Sequence, residues 1–307
     1  MRSKQSLTWI SLWTVYLIWG STYFAIAIAI KTMPSLLGMG IRFLSAGLLL
    51  AIFIVIRTGW RTFHIPRKEI ATAMLMGAVL LGFGIGNVSL AEHFVPSGIV
   101  ALIISAMPFW IAIFRALTGD HPAPLSWVGV IVGFIGVGIL LKPGQVHAVN
   151  PISRGGLFFW MAMVLVGNIT WAFGTFISPK VPLPRNSLVL TSFEMLGGGL
   201  SLAIAAVIHG EKLSALSHVS SGSWWALLYL VLVGSIVAYS AYLWLVANAP
   251  VSLTSTYAYV NPVIAVFLGG VFLHEKISAS IVLGGLVVIV GVVLVVSAES
   301  QSKGRKT

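Results

Sequence analysis

Long apolar runs alternate with short polar connections along almost the whole chain. A helix that crosses a bilayer needs about 20 mostly apolar residues, and runs of that length recur ten times. The connections are short and contain prolines or basic residues, which favour turns over continued helix. The pattern predicts spanning helices at residues 8–30, 35–56, 69–91, 96–117, 124–141, 155–177, 187–208, 223–246, 251–273 and 278–298.

The second half of the chain repeats the first at a nearly constant offset of 152 to 155 positions, which pairs Trp19 with Trp171 and Pro108 with Pro262. Each half holds five predicted spans, so the second half must enter the membrane from the opposite face. We therefore predict an all-α membrane protein of about ten transmembrane helices, built as two inverted five-helix repeats around a central cavity. The predicted divisions are residues 1–147 for the first repeat, 148–300 for the second, and 301–307 for a basic cytoplasmic tail.

Lysine and arginine residues indicate the orientation of these spans. Cytoplasmic loops carry an excess of both residue types. If both termini are cytoplasmic, twelve basic residues fall inside and five outside, while Arg42 lies within a span. The five on the outside are Lys31, Lys142, Arg154, Lys212 and Lys276. The sequence therefore predicts cytoplasmic termini.

Composition agrees with a membrane protein and excludes several other classes. Hydrophobic residues make up 58% of the chain, charged residues 8%, and the mean hydropathy is +1.01, whereas soluble domains carry about 25% charged residues. The net charge of +11 is scattered over segment ends, so no basic stripe suggests nucleic acid. Without cysteine the chain has no disulfide or thiolate site, and no His spacing resembles a metal site. We predict no cofactor and no metal.

Two prolines mark the fourth and ninth spans. Pro108 and Pro262 lie near the middles of these spans, where each removes a backbone hydrogen bond and frees the carbonyl four residues earlier, on Ile104 and Ala258. Bare carbonyls at this depth are tolerated only against protein or a watery cavity. The pair predicts helix kinks that line a substrate path; simple packing kinks are the alternative.

Polar and aromatic side chains at membrane depth are the candidate substrate-binding groups. The ninth span alone holds seven hydrogen-bonding side chains between residues 252 and 261, too many to face lipid. Deep aromatic rings offer flat apolar contact and can attract an ammonium group. Interhelical hydrogen bonding and core packing are the alternative roles. The predicted substrate-binding residues are Trp110, Trp171, Tyr259, Asn87, Ser252, Trp19 and Asn168.

Two ionisable residues, Arg42 and Glu194, lie inside predicted spans at matching positions of the repeat. Such residues are functional candidates in membrane proteins. Glu194 could couple transport to protons, with Arg42 as a possible ion-pair partner; a structural carboxylate, hydrogen-bonded to neighbouring helices, is the alternative.

Several motifs, in this order and at this spacing, resemble a known family. They are residues 19–24 (WGSTYF), 42–44 (RFL), 96–98 (PSG), 171–175 (WAFGT), 194–200 (EMLGGGL) and 261–263 (NPV) followed by Glu275. The chain resembles the drug/metabolite transporter superfamily in its ten-helix EamA-type branch, and within it the YddG-like exporters of aromatic and hydrophobic amino acids. The resemblance implies an inner-membrane exporter of amino acids or other small metabolites, without a bound cofactor. One departure is Gly119-Asp120, where the family usually has Gly-Glu.

The expected function is therefore a secondary transporter that exports small metabolites, most of all amino acids, by alternating access. Export of drugs or other small organic solutes is the alternative within the same class. An intramembrane enzyme would need an activated nucleophile or an acid and base pair, and a fixed channel would not explain the repeat with its mid-helix prolines. The expected partners are a small-molecule substrate and the lipid bilayer, with no nucleic acid and no obligate protein partner.

Overall fold

The computed structural model describes residues 2–119, 122–141, 146–249 and 256–304. In this part of the chain there are ten helices of the expected kind. Eight are long and apolar enough to cross a membrane, and α5 and α9 are shorter apolar helices. The helices are α1 (Arg2–Ala29), α2 (Ser35–Thr58), α3 (Arg67–Ala91), α4 (Ser97–Leu117), α5 (Pro124–Leu141), α6 (Arg154–Ile177), α7 (Ser187–Ile208), α8 (from Ser221 to Asn248), α9 (Tyr257–Phe272) and α10 (Ala279–Gly304). The predicted all-α membrane fold is confirmed.

The outermost helices run beyond the predicted spans. Helix α1 begins at Arg2 and α10 continues to Gly304, whereas apolar content places the two spans at 8–30 and 278–298. Hydropathy detects only the part of a helix that lies in lipid. A helix satisfies its own backbone hydrogen bonds, so it can continue past the bilayer surface through polar residues.

Local sequence sets the starts of the helices. Pro34, Pro66 and Pro96 stand immediately before α2, α3 and α4, respectively. Proline adopts extended backbone there and cannot donate a backbone hydrogen bond, which places it well at a helix entry. Helix α7 begins instead with a side-chain cap, because the Asn186 side-chain oxygen accepts hydrogen bonds from the Leu188 and Val189 backbone N–H groups.

The first of two compact units comprises residues 25–90 and 177–240, and we call it the four-helix unit because it contains α2, α3, α7 and most of α8. Glycines bring α2 and α7 together. A Cβ atom on Gly47 would lie 3.0 Å from the carbonyl oxygen of Ser192, and one on Gly199 would lie 3.0 Å from that of Gly40. Contacts between 47 and 192 and between 40 and 199 mean that the helices pack antiparallel.

The second unit comprises residues 1–24, 91–176 and 241–307. We call it the six-helix unit, because α1, α4, α5, α6, α9 and α10 lie mainly in it. Helices α5 and α10 pack through glycines in the same way. A Cβ atom on Gly129 would lie 2.7 Å from the carbonyl oxygen of Gly291, and one on Gly136 would lie 2.9 Å from that of Gly284.

These glycine contacts are related to one another by the internal repeat. Shifting 40 and 47 by 152 gives 192 and 199, and shifting 129 and 136 by 155 gives 284 and 291. Each contact therefore maps onto the other contact of the same helix pair. Repeat-related helices run in opposite directions within both units, as an inverted repeat requires. Each compact unit combines helices of both repeats, and the division at residue 147 remains a prediction about the repeat itself.

Helices α3 and α8 share an irregularity that the apolar pattern did not predict. Each changes from α- to π-helical hydrogen bonding in its middle, at Ala78–Ile85 and Leu230–Val237. The two segments are eight residues long and stand 152 positions apart. Isolated π segments are rare and occur often at functional sites. Their recurrence at matching positions makes α3 and α8 candidates for a functional role.

The two proline-containing helices differ in their regularity. Helix α4 is interrupted at Ser105 and Ala106 and resumes as Met107–Leu117, with Pro108 as the second residue of the new segment. Helix α9 is continuous through Pro262. Pro108 thus occupies the first turn of a new helical segment, where a missing N–H group costs little.

Candidate functional site

Arg42 on α2 and Glu194 on α7 are both buried in the four-helix unit, with 5% and 6% of their surface exposed. Burial of a charged group is costly unless hydrogen bonds or an opposite charge compensate it. The Arg42 Nε donates to the Ser235 hydroxyl oxygen at 3.1 Å, and the guanidinium lies 4.7 Å from the centre of the Phe43 ring. The Glu194 carboxylate accepts a long hydrogen bond of 3.4 Å from the Tyr239 hydroxyl.

Both partners of these ionisable groups belong to α8. Ser235 lies inside the π segment and Tyr239 one turn later, so they project from neighbouring positions of the same helix. Each residue therefore contacts α8, and the possible pairing of Arg42 with Glu194 stays a prediction. The sequence did not identify Ser235 or Tyr239, because serine and tyrosine are common in membrane helices and carry no charge.

Asn87 on α3 is also buried in the four-helix unit, with 8% of its surface exposed. Its amide nitrogen has no hydrogen-bond partner among the described residues. Asn87 stands 152 positions before Tyr239, so the Arg42 and Asn87 positions in the first repeat correspond to Glu194 and Tyr239 in the second. A buried donor without a partner favours binding of water or a ligand at that position.

An aromatic cluster forms around Trp19 in the six-helix unit; we define it as Trp19, Tyr242 and Tyr257. The ring centre of Trp19 lies 5.1 Å from that of Tyr242 and 5.3 Å from that of Tyr257, and the two tyrosine rings are 5.8 Å apart. The Tyr257 plane is nearly perpendicular to both others, at 83° and 89°. The cluster packs on a buried core that includes Leu12 and Leu245.

Amide side chains hold backbone carbonyls of the proline-containing helices. The Asn168 amide nitrogen on α6 donates to the Ile103 carbonyl oxygen at 2.9 Å, just before the interruption of α4. In the repeat-related helix α9, the Asn261 amide is assigned with its nitrogen facing two carbonyl oxygens, because only this orientation lets it donate to Tyr257 at 3.3 Å and to Tyr16 at 3.2 Å. The Ile103 and Tyr257 carbonyls lie five residues before Pro108 and Pro262, one residue earlier than the freed carbonyls that the sequence predicted.

Two of the predicted substrate-binding residues in the six-helix unit have buried polar atoms without a hydrogen-bond partner among the described residues. These atoms are the Asn168 side-chain carbonyl oxygen and the Trp110 indole nitrogen. The Trp110 ring contacts Phe134, with ring centres 4.9 Å apart. Trp171 is half-buried on α6. Ser252 and the side chain of Tyr259 lie outside the described part of the chain.

Glu92 is a buried carboxylate that the sequence analysis assigned to a loop. It follows the last residue of α3 and is only 3% exposed. It lies close enough to the Tyr23 hydroxyl on α1 to interact with it electrostatically. Hydropathy placed Glu92 just outside a span, and its apolar neighbours Phe94 and Val95 were the only local sign of burial.

Two further glutamates cap helix entries. The Glu275 carboxylate accepts hydrogen bonds from the Ser97 N–H and hydroxyl, both at 2.7 Å, and from the Gly98 N–H at 3.2 Å. The Glu211 carboxylate accepts from the first N–H groups of α2 at 2.7 and 3.1 Å. Carboxylates at helix N-termini satisfy free backbone donors and the helix dipole. Glu211 and Glu275 therefore stabilise the starts of α2 and α4.

The arrangement suits reversible binding of a small polar organic molecule. The six-helix unit by itself offers aromatic faces, one hydrogen-bond donor and one acceptor, and the four-helix unit by itself offers buried ionisable and amide side chains. No cluster of three or more His, Asp or Glu side chains suited to a metal ion occurs in the part of the chain that the structure describes.

Comparison with known proteins agrees with this geometry. The EamA-like transporter family matches the chain twice, over residues 7–142 and 158–297. One match therefore falls on each predicted repeat.

Individual relatives match over nearly their whole length. The inner membrane transporter YedA of Escherichia coli (strain K12) is 40% identical over 96% of this chain and 92% of its own. Protein PecM of Dickeya dadantii (strain 3937) is 26% identical over 94% of this chain and 92% of its own. A solved crystal structure aligns with a TM-score of 0.64 at 16% identity over 94% of this chain and 96% of the other, which shows a shared fold. The chain belongs to the EamA-like transporter family, within the drug/metabolite transporter superfamily.

Proposed function

We propose that this transporter exports amino acids, aromatic and hydrophobic ones above all, across the inner membrane by alternating access. The observation that carries the mechanism is the antiparallel packing of repeat-related helices through paired glycines in both compact units. Two inverted repeats of one fold can exchange conformations, and that exchange opens a binding site first to one side of the membrane and then to the other. The name of the relative YedA supports the inner membrane as the location.

Unsatisfied polar atoms support a substrate site that includes Trp110 and Asn168. An unpaired buried donor or acceptor costs about 1–3 kcal/mol, and a polar substrate can supply the missing partner. The Asn168 oxygen accepts a hydrogen bond, and its amide nitrogen is already fixed by the Ile103 carbonyl, so the oxygen has a defined direction. The Trp110 indole nitrogen donates. One acceptor and one donor with aromatic surroundings fit a molecule with an amino group, a carboxylate and an apolar side chain.

Transport by the purified protein in liposomes tests this proposal. Counterflow of labelled phenylalanine and of other amino acids should exceed that of empty liposomes, and a panel of neutral organic solutes should not compete. If amino acids show no counterflow and those neutral solutes instead compete for binding to the purified protein, the amino-acid assignment is contradicted. Export of other small organic solutes is then favoured.

A conservative substitution tests the substrate site within the same assay. Trp110→Phe keeps an aromatic ring but removes the donor, and we expect it to lower counterflow about tenfold, which corresponds to roughly 1.4 kcal/mol. Trp127→Phe is the matched control, because Trp127 is 39% exposed on α5. Equal counterflow by both variants would remove Trp110 from the site.

A further inference from the structure

Helix α4 is broken at a defined point, and its own groups form hydrogen bonds there. The Ala106 N–H donates to the Ile103 carbonyl oxygen at 3.2 Å, three residues back rather than the four of an α-helix. The Ser105 hydroxyl donates at 2.7 Å to the Leu102 carbonyl oxygen, the group that a regular helix would pair with Ala106. The break is therefore a hydrogen-bonded conformation of the chain.

A side chain from α6 adds a further hydrogen bond to the break. Asn168 is only 3% exposed, and its amide nitrogen donates to the same Ile103 carbonyl oxygen at 2.9 Å. This oxygen accepts one hydrogen bond from its own helix and one from α6, which its two lone pairs permit. The broken form of α4 thus gains a stabilising contact that depends on a different helix.

The second repeat has the corresponding contact, with the amide on the other partner. Shifts of 152 and 154 positions relate Asn168 to Tyr16 and Ile103 to Tyr257. There the Asn261 amide nitrogen donates to the carbonyl oxygens of both Tyr257 and Tyr16. Asn261 lies on the same continuous helix as Tyr257, four residues later, so its position is fixed by that helix. Asn168 and Ile103 lie on different helices, so their hydrogen bond can transmit an effect from one helix to the other.

The oxygen of the Asn168 amide is placed to accept a ligand donor. It is buried and has no hydrogen-bond partner among the described residues. The amide group is planar, so its oxygen and nitrogen turn together, and a donor that binds the oxygen also fixes the direction of the nitrogen. Hydrogen bonds that share one polar group strengthen one another in a low-dielectric interior. A ligand on the oxygen therefore strengthens the hydrogen bond to Ile103.

We propose that Asn168 couples substrate binding to the shape of α4. The ammonium group of the transported amino acid donates to the Asn168 oxygen, and the amide nitrogen in turn stabilises the broken form of α4 through the Ile103 carbonyl. This inference rests on the proposed function and specifies how the bound substrate acts on a helix. Substrate then binds the broken form more tightly than a continuous one, which is the differential affinity that a ligand-driven conformational change requires.

Amide hydrogen exchange of the unaltered, purified protein tests the coupling, with phenylalanine as the probe. Mass spectrometry measures exchange at residues 105–109, where it reports opening of the hydrogen bonds at the break. We expect saturating phenylalanine to slow this exchange by about threefold, the effect of one strengthened hydrogen bond. The matching segment of α9, residues 259–263, should change little. Unchanged exchange at residues 105–109, in protein that binds and transports phenylalanine, would overturn the coupling.

Two variants of Asn168 separate the two ends of the amide. Asn168→Asp keeps an acceptor for the ammonium group, but its ionised form has no donor for Ile103. It should still bind phenylalanine in isothermal titration calorimetry and lose the slowing at residues 105–109. Asn168→Leu has neither group, so it should lose the slowing and bind at least about tenfold more weakly, which corresponds to roughly 1.4 kcal/mol.

Asn248→Leu is the matched control for both variants. The exposed Asn248 amide donates to the Trp244 carbonyl oxygen of its own helix at 3.0 Å and joins no second helix in this contact. The variant should bind phenylalanine and slow exchange at residues 105–109 as the unaltered protein does.

The outcomes distinguish this proposal from the proposed function. If Asn168→Asp binds phenylalanine and still shows the slowing, the amide nitrogen is not the link and the coupling is wrong. Faster exchange throughout the protein in both Asn168 variants, with and without phenylalanine, would show a structural role only and would also overturn it. If the unaltered protein neither binds nor transports amino acids, the proposed amino-acid function is wrong, and the ammonium contact is overturned with it.

Discussion

At the scale of single residues, corresponding positions of the two repeats hold side chains of different chemistry. Arg42 and Glu194 correspond to each other, and so do Asn87 and Tyr239. One repeat therefore presents a guanidinium and an amide, while the other presents a carboxylate that accepts a hydrogen bond from a phenol. Only the second set contains a group that exchanges a proton in the ordinary pH range. We therefore predict that Glu194, and not Arg42, is the residue that couples transport to protons.

Glu194→Gln tests that coupling. Glutamine keeps the size of the side chain and can still accept from Tyr239, but it cannot bind or release a proton. We expect transport driven by an imposed pH gradient to fall at least about tenfold, which corresponds to roughly 1.4 kcal/mol of activation free energy, while exchange of substrate without a gradient continues. The measurement is uptake into liposomes with and without the gradient.

The control for this variant is Tyr239→Phe, which removes the hydrogen bond but leaves the carboxylate titratable. It should keep the response to the gradient. If Glu194→Gln loses folded protein and transport in equal measure, Glu194 has a structural role.

At the scale of helices, close approach depends on glycine at a few positions. Helices cannot gain hydrophobic free energy from leaving one apolar medium for another, so packing in membranes relies on small residues and van der Waals contact. Gly129 and Gly291 meet backbone to backbone between α5 and α10. Gly138 belongs to the same helix as Gly129, but no atom lies within 4 Å of a Cβ atom placed on it.

Gly129→Ala should therefore destabilise the protein by about 1–3 kcal/mol, the usual cost of overpacking. Gly138→Ala should leave stability unchanged or raise it by up to about 1 kcal/mol, because alanine favours helix. Thermal unfolding of both purified variants in one detergent measures the difference. Equal melting temperatures would show that α5 and α10 do not pack at Gly129.

The entry of α4 provides a second test at this scale. Glu275 satisfies the Ser97 N–H and hydroxyl groups and the Gly98 N–H. Glu275→Ala leaves these donors without their acceptor, and we expect a loss of about 1–3 kcal/mol. Glu275→Gln keeps one carbonyl acceptor and should lose less. A melting temperature of Glu275→Ala equal to that of the unaltered protein would contradict the cap.

At the scale of the whole molecule, the opposite directions of repeat-related helices and the distribution of basic residues make one topological prediction. Reporter fusions after Thr62 and Arg185 should be cytoplasmic, and fusions after Gln145 and Lys212 should be external, because this predicted orientation places twelve basic residues on the cytoplasmic side and five on the other. Paired enzyme reporters that are active on only one side of the membrane provide the measurement. A cytoplasmic reporter after Gln145 would contradict the arrangement of five plus five spans.

The sequence by itself determined the helices, the repeat and the presence of Arg42 and Glu194 within spans. These are properties of apolar length, of a constant offset and of charge in an apolar run, and each can be read along the chain. The family follows from the same ordered motifs. The helix starts after Pro34, Pro66 and Pro96 are equally local.

The tertiary structure alone decided which side chains meet. Tyr242 and Tyr257 reach Trp19 from helices more than two hundred positions later in the chain, and Glu275 caps a helix that begins at Ser97. The π segments of α3 and α8 and the burial of Glu92 also follow from packing. Apolar periodicity cannot specify such contacts, because every membrane helix satisfies its backbone internally and many partners are equally apolar. Shape, glycine contacts and the few buried polar groups select among them.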